Sequence, residues 1–395
     1  MSTARTAESS PSAARGVPRT PGGLGLVRTS QAVLFTPEAP LELERGAVLA
    51  PVEVAYETYG TLDATASNVV VVPHALTGDA HAAGHHGDPA RRGWWDVLIG
   101  PGRPIDTDRW FVVASNLLGG CRGTTGPSSP DPATGRPYGL DFPALTIGDL
   151  VRVQRALLRH LGVRRIHAVV GGSLGGMQAL EWVLQAPEDV DRVVVIAASA
   201  RLSAQSIALS TAAREAILRD PDFQGGRYHG TGRRPDAGLA AARMIGHVTY
   251  VSEEALERKF DRARRAPGGA LPASGAEWLA PDFEVEHYLH HQAATFLDRF
   301  DPLSYLYLTR VMDHFDPFRD PARLAAAAAA GAHATVVSFD SDWRFGPPHS
   351  DRIARELAAA GVGVVRRSLT SPWGHDSFLL ALPDYLAVVA AALEP

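Results

Sequence analysis

The 395-residue sequence has a single cysteine, Cys121, so it can form neither an internal disulfide nor a zinc site built on several cysteines. No apolar run in it approaches the roughly 20 residues that a membrane-spanning helix needs. Residues 1–25 are rich in Ser, Ala, Arg, Pro and Gly and lack the apolar segment of a secretory signal. These shortages predict a cytoplasmic protein with a disordered N-terminal tail over residues 1–25.

Charge is also scarce, since charged residues make up 21% of the chain and the formal net charge is −5. Such a balance gives no reason to expect a nucleic-acid backbone or an anionic membrane as partner. Apolar residues make up 45% of the sequence, which is enough for a large core. We therefore expect a small-molecule substrate, with no nucleic-acid or membrane partner.

The most informative stretch that is present surrounds Ser173. An apolar run, Ile166–Val170, is followed by Gly171-Gly172-Ser173-Leu174-Gly175, and helical apolar spacing begins after it. A G-x-S-x-G frame alone is weak evidence, but a strand before it and a helix after it are what a nucleophile elbow requires. The glycines on either side let the neighbouring backbone pass the turn without a Cβ clash. The pattern therefore predicts that Ser173 is a nucleophile at the start of a helix.

A serine hydroxyl is a poor nucleophile until a base takes its proton and an acid orients that base. Asp342 and His375 each follow a predicted strand, at the loop edge where Ser173 also lies. Together with Ser173 they come in the order serine, acid, histidine that proteins with a nucleophile elbow use. Asp340 is a rival for the acid. A lone histidine is by default a satisfied core or surface residue, but the placement of His375 after a strand and behind Gly374, together with the Asp342 loop, reverses that preference.

The order of elements predicts an α/β fold with a mostly parallel central sheet. Strand signals alternate with helices as far as Ala197 and return after Thr335. Between them lies a mostly helical block, typical of an inserted lid. We expect a hydrolase-like core over residues 26–200 and 311–395, with the lid over 201–310. The clearest helical pieces of the predicted lid are Arg214–Leu218, Leu239–Ile245, Glu253–Phe260 and Tyr288–Phe300. Two glycine- and proline-rich stretches interrupt them, Gln224–Gly238 and Ala266–Ser274.

Two histidine clusters could be read as metal sites. Glu284, His287, His290 and His291 have helical spacing, and His85-His86 lie in a glycine-rich loop. For the first cluster, which falls in the predicted lid, a solvated helix face is the better explanation, and a metal site is discounted for the loop histidines as well. We predict no metal and no cofactor, and we interpret Cys121 as a small structural residue in a glycine-rich loop.

Several longer motifs occur in one order along the chain. They are His74-Ala75-Leu76-Thr77-Gly78-Asp79, Gly119 to Ser129, Gly171 to Gly176, Gly246-His247-Val248-Thr249-Tyr250 and Gly374-His375-Asp376-Ser377-Phe378. From about Val33 onward the chain resembles the homoserine O-acyltransferases, α/β-hydrolase-fold enzymes of methionine biosynthesis. The match is far more specific than the elbow alone.

The resemblance implies a catalytic triad. Ser173 would accept an acyl group from acyl-CoA, with His375 as its base and Asp342 orienting the base. The backbone N–H groups of Leu76 and Leu174 would form the oxyanion hole. Acyl-CoA would then be a co-substrate, and no cofactor is implied.

The resemblance also implies how the acceptor binds. Arg243 matches the arginine that holds the substrate carboxylate, and Asp376 matches the residue that binds its ammonium group. One fixed cation and one fixed anion suit an amino acid such as L-homoserine. In this family the helical insertion excludes water and forms the contact of a homodimer, so a homodimer is expected here.

The acyl donor depends on the residues after the acid, which read Asp342-Trp343-Arg344-Phe345-Gly346. Arg344 resembles the succinyl-transferring branch, because succinyl-CoA carries a free carboxylate that an arginine can pair. Gly346 departs from both the succinyl and the acetyl patterns. We predict succinyl-CoA as donor, with acetyl-CoA as the alternative.

Other functions stay open from the sequence. Serine in place of homoserine is a close rival, since the two differ by one methylene, worth roughly 1–3 kcal/mol. A serine esterase or thioesterase would use the same triad without needing Arg243 and Asp376. A non-enzymatic receptor on this fold would be indifferent to loss of the Ser173 hydroxyl.

Overall fold

The computed structural model describes residues 23–265 and 274–394. Most of the predicted tail and of the predicted Ala266–Ser274 interruption lie outside these ranges. The strands are β1 Ser30–Phe35, β2 Leu41–Glu42, β3 Val48–Leu49, β4 Val52–Tyr59, β5 Val69–Val71, β6 Ile99–Gly100, β7 Ile105–Asp106, β8 Phe111–Ser115, β9 Ile166–Gly172, β10 Val190–Ile196, β11 His333–Phe339 and β12 Gly363–Leu369.

Eleven α-helices occur in the described residues, together with four short 3₁₀ helices. The α-helices are α1 Ile147–His160, α2 Leu174–Gln185, α3 Ala204–Leu218, α4 Asp236–Tyr250, α5 Glu253–Phe260, α6 Gly275–Trp278, α7 Glu284–Leu297, α8 Pro302–Asp313, α9 Pro321–Ala329, α10 Pro347–Ala359 and α11 Pro383–Ala392. None of these helices is long and apolar enough to cross a membrane.

The central sheet has eight strands in the order β1-β4-β8-β5-β9-β10-β11-β12. β4 pairs antiparallel with β1 and β8, and all the other neighbours in the sheet are parallel. On β5, Val69 and Val71 pack into one hydrophobic cluster, whereas Val70 packs into another. Burial on both faces explains the continuous apolar run that the sequence shows here. The predicted α/β fold with a mostly parallel sheet is confirmed.

Local signals in the sequence set the start of α1. Asp149 N donates to Thr146 Oγ1 at 3.1 Å, and Thr146 N donates to Asp149 Oδ2 at 2.9 Å. This reciprocal pair satisfies backbone donors that the helix itself leaves free. Thr146 is therefore the N-cap of α1.

The described residues between β10 and β11 form helices and contribute no strand to the sheet. The predicted helical piece Arg214–Leu218 lies within α3, which begins ten residues earlier at Ala204. The predicted Gln224–Gly238 interruption was wrong at its end, because α4 already begins at Asp236. Glycine is a poor helix former, but a Cβ at position 238 would lie 2.4 Å from Ala216 O. The close approach to α3 that Gly238 allows therefore outweighs its low helix propensity. The predicted lid boundary at residue 310 falls within α8.

The last residues of the predicted tail are ordered against the His85 loop. His85 N donates to Gly25 O at 3.0 Å, and Val27 N donates to His85 O at 2.9 Å. Val27 is also buried. The prediction of disorder was therefore wrong for residues 23–25, because composition does not register these backbone pairings.

Candidate active site

Ser173 occupies the sharp turn between β9 and α2. Its φ of 57° and ψ of −121° are strained for a residue with a side chain. A Cβ at Gly171 would lie 2.1 Å from Gly175 O, and a Cβ at Gly175 would lie 2.2 Å from Pro73 O. Only glycine fits at these two positions, because neighbouring carbonyl oxygens come too close for a side chain. The G-x-S-x-G frame is therefore a steric requirement of this turn.

The structure brings Ser173, His375 and Asp342 into one hydrogen-bonded line. His375 Nδ1 lies 2.7 Å from Asp342 Oδ2, and His375 Nε2 lies 2.9 Å from Ser173 Oγ. Since a carboxylate only accepts, Nδ1 carries the proton and Nε2 is free to accept from the Ser173 hydroxyl. All three side chains are buried. The arrangement can deprotonate a serine that attacks a carbonyl.

Asp342 is held as an anion although it is buried. Burial by itself raises the pKa of this carboxyl group, but His375 and two backbone N–H groups outweigh it and the pKa is lowered. Those donors are Arg344 N at 2.9 Å and Phe345 N at 2.8 Å, both to Asp342 Oδ1. The rival acid, Asp340, accepts instead from Ser371 N at 3.0 Å.

Leu76 and Leu174 both reach the site from the carboxyl ends of strands. Leu174 is the first residue of α2, so its N–H has no partner within the helix. Leu76 lies in the loop after β5 and lines the same cavity as Ser173 and His375. Leu174 directly follows Ser173 in the chain, and Leu76 shares the cavity with Ser173.

Arg243 and Asp376 face this cavity, whose volume is about 330 Å³. Arg243 is 8% exposed, its Nε has no hydrogen-bond partner, and its guanidinium carbon lies 4.6 Å from the Phe296 ring centroid. Burial raises the pKa of Asp376 to about 6. Within the described residues neither group has an opposite charge at salt-bridge distance, so each is available to a charged ligand.

Arg344 also lines the cavity, and it is only 9% exposed. Its Nη1 donates to Thr249 Oγ1 at 2.9 Å, and its guanidinium carbon lies 5.5 Å from the Tyr250 ring centroid. The Arg344 side chain therefore faces the cavity and not the solvent.

Among the cavity-lining side chains that sequence reasoning missed are His247, Tyr250 and Arg299. His247 is buried, and this burial, with nearby Arg243, lowers its pKa to about 3, so its ring is neutral near pH 7. Spacing could have revealed two of them, because His247 and Tyr250 follow Arg243 at four and seven residues, on one helix face. Arg299 lies between α7 and α8 and carried no such signal.

One group of possible metal ligands occurs in the described residues: Glu57, His81 and His86. His81 Nδ1 lies 3.1 Å and His86 Nε2 2.7 Å from the Glu57 carboxylate, which also accepts from Tyr59 and Thr29. These are hydrogen-bond distances, and ordinary bonds satisfy both carboxylate oxygens. The group is a hydrogen-bond network around buried Glu57, to which exposed His86 contributes. The sequence did not predict this partnership.

The cluster predicted at Glu284, His287, His290 and His291 does not form a group of ligands among the described residues. His290 and His291 are exposed on α7, and His287 Nδ1 instead lies 3.1 Å from Arg265 Nη1. The interpretation as a solvated helix face agrees with these positions.

The sulfur of Cys121 lies 3.3 Å from Asp301 N, and burial raises the pKa of this thiol to about 11.

Comparisons with known proteins agree with this geometry. The family described as the alpha/beta hydrolase fold matches residues 68–382. A homoserine O-succinyltransferase from a Nocardioides species is 55% identical, covering 94% of this chain and 99% of that protein. A homoserine O-acetyltransferase from Mesorhizobium japonicum is 47% identical, covering 91% and 92%. The crystal structure of homoserine O-acetyltransferase from Bacillus anthracis superposes with a TM-score of 0.83 at 27% identity, covering 94% of this chain and 98% of that one.

Fold and site together define a protein of the α/β-hydrolase fold with a serine in the elbow turn between β9 and α2. Within that class, the chain belongs to the homoserine O-acyltransferase family, and the resemblance predicted from its motifs is confirmed. It is an acyltransferase. The names of its relatives include both succinyl and acetyl donors, so the donor has to be argued from the site.

Proposed function

We propose that this acyltransferase moves a succinyl group from succinyl-CoA to the hydroxyl of L-homoserine and forms O-succinyl-L-homoserine for methionine biosynthesis. The observation that carries the proposal is the Ser173–His375–Asp342 line, which opens on a cavity with two buried arginines and the partly exposed carboxyl group of Asp376. Acetyl-CoA is the alternative donor.

The reaction would proceed in two half-reactions. His375 Nε2 takes the Ser173 proton while Ser173 Oγ attacks the thioester carbon, and the negative oxygen is stabilised by the N–H groups of Leu76 and Leu174. The carbon–sulfur bond then breaks, and His375 returns the proton to the CoA thiolate. In the second half, His375 deprotonates the homoserine hydroxyl, which attacks the acyl-serine. Ser173 regains its proton from His375 as the product ester is released.

Acceptor recognition would rest on Arg243 and Asp376. The guanidinium of Arg243 can pair the homoserine carboxylate bidentately, and ionised Asp376 can pair the ammonium group. Their position beside His375 supports placing the substrate hydroxyl near the base. A simple esterase has no use for this pair of charges, which is why transfer is favoured over hydrolysis.

Donor choice would rest on Arg344. A buried guanidinium held by Thr249 matches the terminal carboxylate of a succinyl group, whereas an acetyl group offers it nothing to bind. This argument and the succinyltransferase relative at 55% identity both support succinyl-CoA.

The test is a steady-state assay of CoA release with succinyl-CoA and acetyl-CoA in parallel, each with L-homoserine and with L-serine. We expect wild type to prefer succinyl-CoA and homoserine, and Arg344→Leu to lose roughly 10- to 100-fold in kcat/KM for succinyl-CoA while acetyl-CoA is little changed. Arg310→Leu, an exposed arginine on α8, is the matched control.

Three outcomes would contradict the proposal in distinguishable ways. Preference for acetyl-CoA in wild type would make the enzyme an acetyltransferase, and preference for serine would change the acceptor. CoA release that needs no acceptor would indicate a thioesterase. Ser173→Ala should abolish turnover, which a receptor function does not require.

We further propose that the enzyme is a cytoplasmic homodimer joined through its helical insertion. Large apolar side chains are exposed there, among them Val248 on α4 and Trp278 on α6. Exposed apolar surface of this kind favours a protein contact. Light scattering coupled to size-exclusion chromatography would show a monomer if this proposal is wrong.

A further inference from the structure

The loop that carries Leu76 is anchored differently on its two sides. Before Leu76 it is held by the core, because Gln178 Nε2 on α2 donates to His74 O at 3.2 Å. His74 Nε2 also lies 2.9 Å from Asn116 Oδ1. This side of the loop is therefore fixed by elements of the central sheet and its nucleophile helix.

After Leu76 the loop is held by the helical insertion. Arg299 Nη1 donates to Thr77 O at 2.8 Å, and Arg243 Nη1 lies 3.4 Å from Thr77 Oγ1. Of these two contacts the first is short and the second is at the limit of a hydrogen bond. The main anchor of Thr77 is thus the guanidinium of Arg299.

The guanidinium of Arg299 is itself fixed in place. Phe296, which is fully buried on α7, has the guanidinium carbon of Arg243 at 4.6 Å and that of Arg299 at 5.4 Å from its ring centroid. A planar cation near an aromatic face is attracted by the ring. The backbone of Arg299 is close to the core as well, because Cys121 Sγ lies 3.8 Å from Arg299 O.

We propose that Arg299 is a positioning residue for the oxyanion loop. By holding the Thr77 carbonyl it orients the neighbouring Leu76 N–H toward the carbonyl oxygen of an acyl group attacked by Ser173. The helical insertion would then contribute to the chemical step and not only to substrate binding. The inference rests on the proposed function in one respect, namely that Ser173 is the nucleophile.

The test separates positioning from anion binding by using a substrate without negative charge. Ser173 Oγ attacks the carbonyl of p-nitrophenyl acetate, its proton passes to His375, and p-nitrophenolate leaves. With Arg299→Met we expect the acylation rate to fall about 10- to 100-fold, since a misplacement of about 1 Å can cost 10²-fold. Arg299→Lys keeps a donor and a charge, so its loss should be smaller.

Controls make the result specific. Ser173→Ala identifies the part of the signal that comes from Ser173, and Arg319→Met changes an exposed arginine that bonds Asp316 outside the cavity. Circular dichroism checks folding of each variant. If the methionine variant does not fold, the lysine variant decides by the same readout.

Unchanged acylation by p-nitrophenyl acetate in the variants, with a higher KM for homoserine or acyl-CoA, would overturn the inference and make Arg299 an anion-binding residue. The readout uses neither homoserine nor CoA, so it stays informative if the proposed substrates are wrong. Absence of any Ser173-dependent acylation in wild type would instead refute the proposed function itself.

Discussion

Asp376 adjoins His375 in sequence, and burial raises the pKa of its carboxyl group to about 6. The folded protein therefore binds a proton at Asp376 more tightly than the unfolded chain, whose aspartates titrate near 3.9. Above pH 6 the folded state must keep an ionised carboxylate in a site that disfavours it. The residue proposed to bind ammonium thus lowers the stability of the fold at the pH where it is useful.

We expect Asp376→Asn to raise the free energy of unfolding at pH 8 by about 1–2 kcal/mol, a value reduced from the full pKa difference because the side chain is partly exposed. The gain should shrink as the pH falls through 6 toward 4, where both states of wild type become protonated. Urea denaturation at several pH values measures it.

The same variant should lose most of its kcat/KM for homoserine, because the ammonium partner is gone. Asp298→Asn, an exposed aspartate at the end of α7, should show neither effect. A stability gain equal at pH 8 and pH 4 would show that desolvation of the Asp376 charge is not its cause.

At the scale of elements, α4 forms one wall of the cavity. Arg243, His247 and Tyr250 lie on one helix face and all line the cavity. The helix is held against α3 at Gly238, where a Cβ would lie 2.4 Å from Ala216 O and 2.6 Å from Ile217 Cα. The position of the whole cavity wall therefore depends on a close approach of two helices.

We expect Gly238→Ala to destabilise the protein by about 1–3 kcal/mol, because α3 and α4 must separate, although alanine is the better helix former. Arg243 should move with α4, so KM for homoserine should rise. Thermal unfolding and steady-state kinetics measure the two effects.

Gly275→Ala is the matched control, because a Cβ there meets nothing within 4 Å in the described residues. It should be neutral or slightly stabilising. A Gly238→Ala protein as stable as wild type would show that the two helices can part without cost.

At the scale of the whole molecule, Cys121 joins the core to the helical insertion. Its sulfur lies 3.3 Å from Asp301 N, just before α8, while its own loop follows β8. Burial raises the pKa of the thiol to about 11, which removes nearly all thiolate near pH 8. Reactivity of this thiol therefore reports whether core and insertion remain in contact.

We expect alkylation of Cys121 by iodoacetamide at pH 8 to be at least about 100-fold slower in the native protein than in denaturing urea, from the pKa difference alone. Mass spectrometry follows the modified fraction with time. A native rate close to the denatured rate would mean that this contact does not hold in solution.

The parts of the fold and of the site that could be predicted are those that depend on residues close together in the sequence. Gly171 and Gly175 identify the turn at Ser173 because steric contacts leave no other residue type there. Thr146 identifies the start of α1, because its side chain accepts a hydrogen bond from the backbone only three residues later, at Asp149. Arg299 and the partnership of His86 with Glu57 were missed, because nothing near them in the sequence shows what they touch.

By itself, the sequence determined the elbow, the alternation of strands and helices and the family, because each is written in residues close together or in motifs of fixed order. Only the tertiary structure decided which acid orients His375, that Arg344 faces the cavity and that Arg299 holds Thr77. Ser173 and His375 are 202 residues apart, and His375 and Asp342 are 33 apart. Parallel pairing of β9, β10, β11 and β12 brings their carboxyl ends to one edge of the sheet, and burial then fixes which side chains meet.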